Sequence, residues 1–198
     1  VPRSVKDPRT TNDINITGTL NMLLAARDAG VRSFVFASSS SVYGDDPGLP
    51  KKEGREGAPL SPYAISKLVG EKYCRVFSSL FGLPTVCLRY FNVFGPRQDP
   101  LSQYAAVIPN FITKILQGVS PTIYGDGEQS RDFTFVENVV EGNILASLAT
   151  HLRGAALNIA CGDRITVNGL VREINDVLGT DVKPAHAGER PGDIKHSN

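Results

Sequence analysis

The sequence is short of several things, and each shortage excludes a class of chemistry. Neither sign of charge dominates: 21 Lys and Arg stand against 20 Asp and Glu, a net charge of +1. So even a balance gives neither nucleic acid nor an anionic membrane an electrostatic reason to bind. No apolar run reaches the ~18 residues of a membrane span, so no membrane partner is expected. The segment Val1–Pro8 has no apolar signal-peptide core and does not begin with Met, so the chain is expected to start inside a longer, cytoplasmic protein. Cys74, Cys87 and Cys161 are few, widely spaced and without a C-x-x-C. Reduced thiols are the expectation, with neither disulfide nor metal. His151, His186 and His196 are scattered and are expected on the surface. Also absent is a G-x-G-x-x-G turn, so a dinucleotide site would lack the part that cradles a pyrophosphate.

What is present centres on Ser61-Pro62-Tyr63-Ala64-Ile65-Ser66-Lys67. Ser61 suits a helix N-cap and Pro62 the first helical position. Tyr63 and Lys67 then leave one helical face, one turn apart. A free phenol, with a pKa of about 10, is a poor base at neutral pH, and a neighbouring ammonium favours the phenolate. The pair therefore reads as a tuned proton-transfer group.

Around it the chain alternates strand and helix. Residues 1–10 read as loop. Helical periodicity covers 11–29 and 62–81, closed by Gly30 and Gly82. Buried strands are expected at Phe34–Ser38 and Thr85–Tyr90, and again at Leu157–Ala160. The stretch 91–97 reads as an irregular loop. Further helices are expected at 107–117 and 138–150, and from Thr166 to Leu178. Thr122–Tyr124 and Asp132–Val136 look extended, and the tail from Gly188 reads as polar loop. This rhythm means an α/β fold with a parallel sheet. Ligands of such sheets sit at the carboxyl ends of strands, which here are the Ser38–Ser41 run and the 91–97 loop.

Five motifs, in order, carry a family resemblance. They are Phe36-Ala37-Ser38-Ser39-Ser40-Ser41-Val42-Tyr43-Gly44, the Ser61–Lys67 stretch, Leu88-Arg89-Tyr90-Phe91-Asn92-Val93-Phe94-Gly95, Gly127-Glu128-Gln129-Ser130-Arg131-Asp132-Phe133, and Glu189-Arg190-Pro191-Gly192-Asp193. Together they resemble the extended short-chain dehydrogenases/reductases, the NAD-dependent epimerase/dehydratase family, and most closely its UDP-sugar 4-epimerases. The resemblance implies a partial Rossmann-like parallel sheet with helices on both faces, over 1–96 and 132–160. It implies a smaller substrate-binding region, truncated, over 97–131 and 161–198.

It also implies roles. Tyr63 would be the base and acid on the sugar 4-hydroxyl, Lys67 its tuner and a ribose contact, and Ser39 the catalytic hydroxyl. Asn15, Ser38 and Tyr90 would join Tyr63 and Lys67 in binding NAD. Ser40, Ser41, Asn92, Val107, Thr122, Tyr124, Arg131, Arg190, Asp193 and Ser197 would meet the UDP-sugar, the arginines on its diphosphate. A homodimer is expected at full length, with Leu68, Val69, Tyr73 or Val76 facing the partner.

Related 4,6-dehydratases carry an Asp-Glu pair where this chain has Ser40 and Ser41, so dehydration and decarboxylation are disfavoured. Ser197, seven residues after Arg190, stands where galactose-restricted relatives have a tyrosine. It leaves room for an N-acetyl group and points to UDP-GlcNAc/UDP-GalNAc, with UDP-Glc/UDP-Gal tolerated. UDP-glucuronate 4-epimerase or another nucleotide-sugar epimerase/dehydratase is the alternative. A non-catalytic nucleotide-sugar-binding relative, or an inactive fragment, is a third reading. A chain without the first strands would bind NAD poorly and aggregate.

Overall fold

The computed structural model describes residues 1–99, 107–188 and 196–197. In chain order the elements are α1 (Pro2–Lys6), α2 (Pro8–Asn12), a π-helical turn Asp13–Thr17, α3 (Gly18–Asp28), β1 (Phe34–Ser39), a 3₁₀ turn Ser40–Tyr43, α4 (Pro62–Phe81), β2 (Thr85–Tyr90), β3 (Val93–Phe94) and α5 (Val107–Leu116). There follow β4 (Thr122–Tyr124), β5 (Ser130–Arg131), β6 (Thr134–Phe135), α6 (Val136–Leu148), β7 (Ala155–Ile159), β8 (Ile165–Thr166), α7 (Val167–Leu178), β9 (Ala185–Ala187) and β10 (His196–Ser197). Two compact units emerge, Val1–Phe91 with Glu137–Ile159, and Asn92–Val136 with Ala160–Asn198.

In the first unit β1, β2 and β7 form a parallel sheet in that order. Alternation splits the strands between two faces. Phe36 and Cys87 pack with Leu23, Ala26, Cys74, Phe77 and Leu83 from the α3/α4 side. Val86 and Leu88 pack on the other face with Ala146 of α6. β2 is buried along its whole length except Tyr90, as a central strand covered on both faces must be. The helix–sheet contact is closest at Gly70, where an added Cβ would lie 2.3 Å from Phe36 Cζ. Among described residues, no strand pairs with the other edge of β1.

Local signals explain most boundaries. Ser61 Oγ accepts from Ala64 N–H at 3.1 Å and Pro62 opens α4. Gly82, at φ 70°, closes it in the left-handed conformation. The expected loop over 1–10 is instead two short helices. Pro2 and Pro8 open them, and Asp7 caps the second by accepting from Thr10 N–H at 3.0 Å. The single helix expected over 11–29 is broken by the π turn. Within 91–97, β3 pairs with β6; a two-residue strand leaves too short a periodic signal to read. The polar tail likewise contains β10, set in parallel on β5.

The second unit gathers Phe111, Ile115, Ile123, Val167, Leu170, Val171 and Ile174 into one core between α5 and α7. Thr166 Oγ1 caps α7 by accepting from Gly169 N–H at 3.0 Å. Cys74 and Cys87 are buried free thiols and Cys161 is an exposed one. The Cys87 thiol is pushed up by its hydrogen bond with Cys74 and by burial, so it stays protonated. No helix is long and apolar enough to cross a membrane among the described residues.

Candidate active site

The first turns of α4 carry the expected pair. Tyr63 is half-buried, and its backbone N–H donates to the hydroxyl of buried Ser4 at 3.1 Å. One turn on, Lys67 Nζ lies 5.7 Å from the centre of the Tyr63 ring and 5.2 Å from that of Phe36. It donates to the Ala37 carbonyl at 2.8 Å. Phe34 N–H points toward β2, to Pro84 O. Ala37, three residues on, therefore faces the free edge of β1. Its carbonyl needs a donor there, and the ammonium is that donor. Burial holds the Lys67 amine below the ordinary lysine range.

Between the two, Ser66 donates to Tyr63 O at 2.8 Å and accepts from Asn15 Nδ2 at 2.9 Å. Asn15 lies in the π turn, a distortion that recurs at functional sites. The structure thus brings Asn15, Ser66, Tyr63 and Lys67 together. Ser66 was not among the expected residues; its place inside the Tyr-x-x-x-Lys turn is the signal that could have found it.

The serine run divides by strand alternation. Ser39, Ser40 and Ser41 are half-buried at the carboxyl end of β1. Ser39 Oγ caps the 3₁₀ turn, accepting from Ser41 N–H at 3.2 Å and from its hydroxyl at 3.0 Å. Ser38 points the other way. Its hydroxyl, expected to contact a cofactor, is 3% exposed and donates to Glu71 Oε1 at 2.5 Å. That expectation is corrected for the side chain, because the β pleat turns it into the interior.

There it joins a charged network that the sequence reading missed. Arg89, 2% exposed, forks onto Glu71 through Nε at 2.8 Å and Nη2 at 2.7 Å. Nη2 also reaches Glu56 Oε1 at 2.5 Å, and Nη1 donates to Tyr43 Oη at 3.0 Å. Tyr43 in turn donates to Asn158 Oδ1 at 2.7 Å. Burial alone would lower the Arg89 pKa, but the bonds and charge of Glu71 prevail and raise it. Burial pushes the Tyr43 phenol up against the opposing pull of Arg89. The signal was available: a Glu and an Arg, opposite in sign, each set in an otherwise apolar buried element.

Tyr90 stands beside Ser39 in the register of β1 and β2. Its phenol donates to Asn143 Oδ1 on α6 at 2.9 Å. Of the partner-facing residues, Leu68 packs inward on Val42, Tyr43 and Phe91, and Tyr73 on the α3/α4 core. Both remain partly exposed. Val76 is 45% exposed, alongside Ile65, Leu80 and Met22 on the same two helices.

In the second unit, Thr122 and Tyr124 share one face of β4 while Ile123 turns into the core. Asn92 Nδ2 donates to Asp132 O at 2.9 Å. Buried Asp132 accepts from the Cys161 and Gly162 N–H groups at 3.0 and 2.9 Å. It thereby ties β6's approach to the turn before β8. Arg131 Nη1 donates to Ser130 O at 2.9 Å, and Arg131 is paired with Ser197 in the strand register. Val107 opens α5 and is half-buried. Arg190 and Asp193 lie outside the described residues. No cluster of potential metal ligands occurs among the described residues.

Comparisons with known proteins place this geometry. Residues 1–160 match the model of the NAD dependent epimerase/dehydratase family. A UDP-glucose 4-epimerase of Mycolicibacterium smegmatis is 36% identical over 198 residues, covering 100% of this chain and 63% of the relative. A solved UDP-N-acetylglucosamine 4-epimerase from Methanobrevibacter ruminantium, in complex with UDP-N-acetylmuramic acid, is similar with TM-score 0.95 and 48% identity. That match covers 100% of this chain and 63% of the other. The UDP-glucose 4-epimerase of Thermus thermophilus, in complex with NAD, is similar with TM-score 0.87 and 36% identity over 98% of this chain and 63% of that one. The chain thus spans under two thirds of the length of these relatives. With the Tyr63/Lys67 helix, the serine-ended strand and the parallel sheet all inside the matched span, the chain belongs to the NAD dependent epimerase/dehydratase family.

Proposed function

We propose that this chain is the catalytic and substrate-binding part of a UDP-sugar 4-epimerase, with UDP-GlcNAc/UDP-GalNAc as its pair. The observation that carries the reading is the Lys67 ammonium 5.7 Å from the Tyr63 ring at the start of α4. An ammonium and a phenol one turn apart on α4, with the Asn15 amide bonded to Ser66 between them, suit the nicotinamide riboside half of NAD. The described residues contain no glycine-rich turn for its pyrophosphate. NAD, when bound, supplies the acceptor that takes hydride from C4 of the sugar and returns it to the other face. Tyr63 takes the 4-hydroxyl proton and gives it back. Ser39 hydrogen-bonds the same oxygen, holding it in line. Lys67 supports the anionic phenolate and holds the ribose through its ammonium. Asn92, Arg131 and Arg190 hold the diphosphate, while Thr122 and Tyr124 flank the uridine.

Ser197 sets sugar size by leaving space for the N-acetyl group. At full length two copies pair through the exposed apolar residues of α3 and α4. The free thiols at Cys74 and Cys87 agree with a reducing, cytoplasmic setting. The test is an assay of the full-length protein on paired UDP-sugars. UDP-GlcNAc and UDP-GalNAc should interconvert, and Tyr63→Phe should lower kcat by roughly 10²–10⁴ with NAD still bound. Full turnover by Tyr63→Phe would overturn the mechanism. Turnover of UDP-glucuronate but not of the N-acetyl sugars would overturn the substrate.

A further inference from the structure

A second concave site lies in the first unit, bordered by α4, the start of β7 and the loop before α4. Its volume is about 330 Å³, and Lys72, Arg75 and Arg153 line it. That is the small end of the range of small-molecule pockets. Lys72 and Arg75 are three residues apart on one face of α4. Arg153 is brought beside them by the turn at Gly154. Gly154 has φ +72°, and a Cβ there would lie 2.9 Å from Arg75 Cα, so the turn runs directly against the helix. All three cations are exposed. None forms an ion pair with a described residue.

The acids in the same wall are already matched. Glu71 and Glu56 both bind Arg89, which forms part of the lining. The cavity therefore keeps an excess of positive charge. A backbone donor adds to it. Asn158 N–H points off the free edge of β7, where Glu53 Oε1 accepts it at 2.8 Å. Ala156, two residues earlier on the strand and in the cavity wall, points its N–H off the same edge. One oxyanion, the Glu53 carboxylate, already caps this edge one step further along. The next donor faces the cations.

We propose that this cavity binds a phosphate-bearing small molecule, held by Arg75, Arg153, Lys72 and the Ala156 N–H. Two guanidinium forks, an ammonium and an amide N–H on one side favour a multiply charged phosphate or diphosphate over a single carboxylate. Neither Tyr63 nor Lys67 lines it. Its floor nevertheless touches the catalytic strand, since Glu71 accepts from Ser38, next to Ser39.

The test is calorimetric titration of the full-length, NAD-loaded protein with inorganic pyrophosphate at an ionic strength fixed with chloride. A saturable site beyond any that the substrate diphosphate residues provide is expected. Arg75→Glu with Arg153→Glu should weaken it at least tenfold, and Lys72→Gln by a smaller factor. Arg75→Lys with Arg153→Lys, which keeps the charge but loses the forks, should bind more weakly than the parent and more tightly than the charge reversals, and serves as the control for folding. UDP that competes with pyrophosphate identifies a nucleotide as the source of the phosphate; UDP that binds without competing identifies a free phosphorylated ligand. Absence of saturable binding overturns the proposal. So does binding untouched by the charge reversals.

Discussion

Replacing Glu71 with leucine should cost this protein about 3–5 kcal/mol, the range measured when one partner of a buried ion pair is removed. The structure says why the cost should be that large. Arg89 is 2% exposed, and Glu71 takes two of its donors at 2.8 and 2.7 Å. Without Glu71 the guanidinium stays buried with only Glu56 against it. Glu56 is partly open to water, at 21% side-chain exposure, so it offsets less. The Ser38 hydroxyl also loses its acceptor, a loss of about 1–3 kcal/mol when unshared, though the two losses overlap. Against a total stability of 5–15 kcal/mol for a typical domain, the loss should be plain in a urea titration. With a slope of about 1–3 kcal/mol/M, the midpoint should fall by roughly 1–5 M.

The double variant Glu71→Leu/Arg89→Met discriminates between ion pairing and simple loss of packing. Apolar replacement of both partners removes the buried charge altogether and is often neutral or better. The double should therefore be more stable than Glu71→Leu alone, and the cycle should show a coupling above about 1 kcal/mol. Additive losses, or a Glu71→Leu cost under about 1 kcal/mol, would refute the reasoning. The network would then be solvated in practice and its bonds dispensable.

Two further predictions follow from the same unit. Gly70→Ala places a methyl 2.3 Å from Phe36 Cζ, in a core that can yield only by moving the ring. A loss of about 1–3 kcal/mol in thermal or urea unfolding is expected, and an unchanged midpoint would contradict the packing. Glu56 is the pH-sensitive member. Burial would raise its pKa, but its bond to Arg89 outweighs this and holds it below the usual 4.5. A carboxylate with a depressed folded pKa stabilises above its unfolded pKa, and that contribution disappears as pH falls through the folded value. Solvent screening keeps the effect under about 1 kcal/mol. The unfolding midpoint of the parent chain should drop as pH falls below 4.5, and that of Glu56→Gln should drop less. Equal drops would remove Glu56 from the account.

Much of this was legible because the signals are local. The bounds of α4 follow from Ser61, Pro62 and Gly82, and those of α7 from Thr166 and Gly179. β1 and β2 are apolar runs that a buried parallel sheet requires. The π turn was not legible, since residues 11–29 keep helical periodicity through it. Nor were β3 and β10, whose pairings depend on distant partners rather than on their own two residues. The inward turn of Ser38 was in principle readable. Phe36 and Ser38 share a face by alternation, and Phe36 is apolar and buried. The family pattern directed attention to the hydroxyl and away from the pleat.

Lys67 shows where spacing stops being informative. Four residues of helix put it beside Tyr63, and the 5.7 Å separation agrees. The direction of its ammonium is a tertiary matter: it is fixed by the unpaired Ala37 carbonyl on the free edge of β1. A backbone carbonyl at an open edge must find a donor, and the amine competes for that task with any ribose or phenolate. A strand laid along this edge would bring N–H donors to β1 and leave the ammonium free to turn. The same residue would thus serve the edge in one setting and be available to the phenol in the other. What decides between them is the number of donors reaching Ala37, a quantity that the Tyr-x-x-x-Lys spacing does not contain.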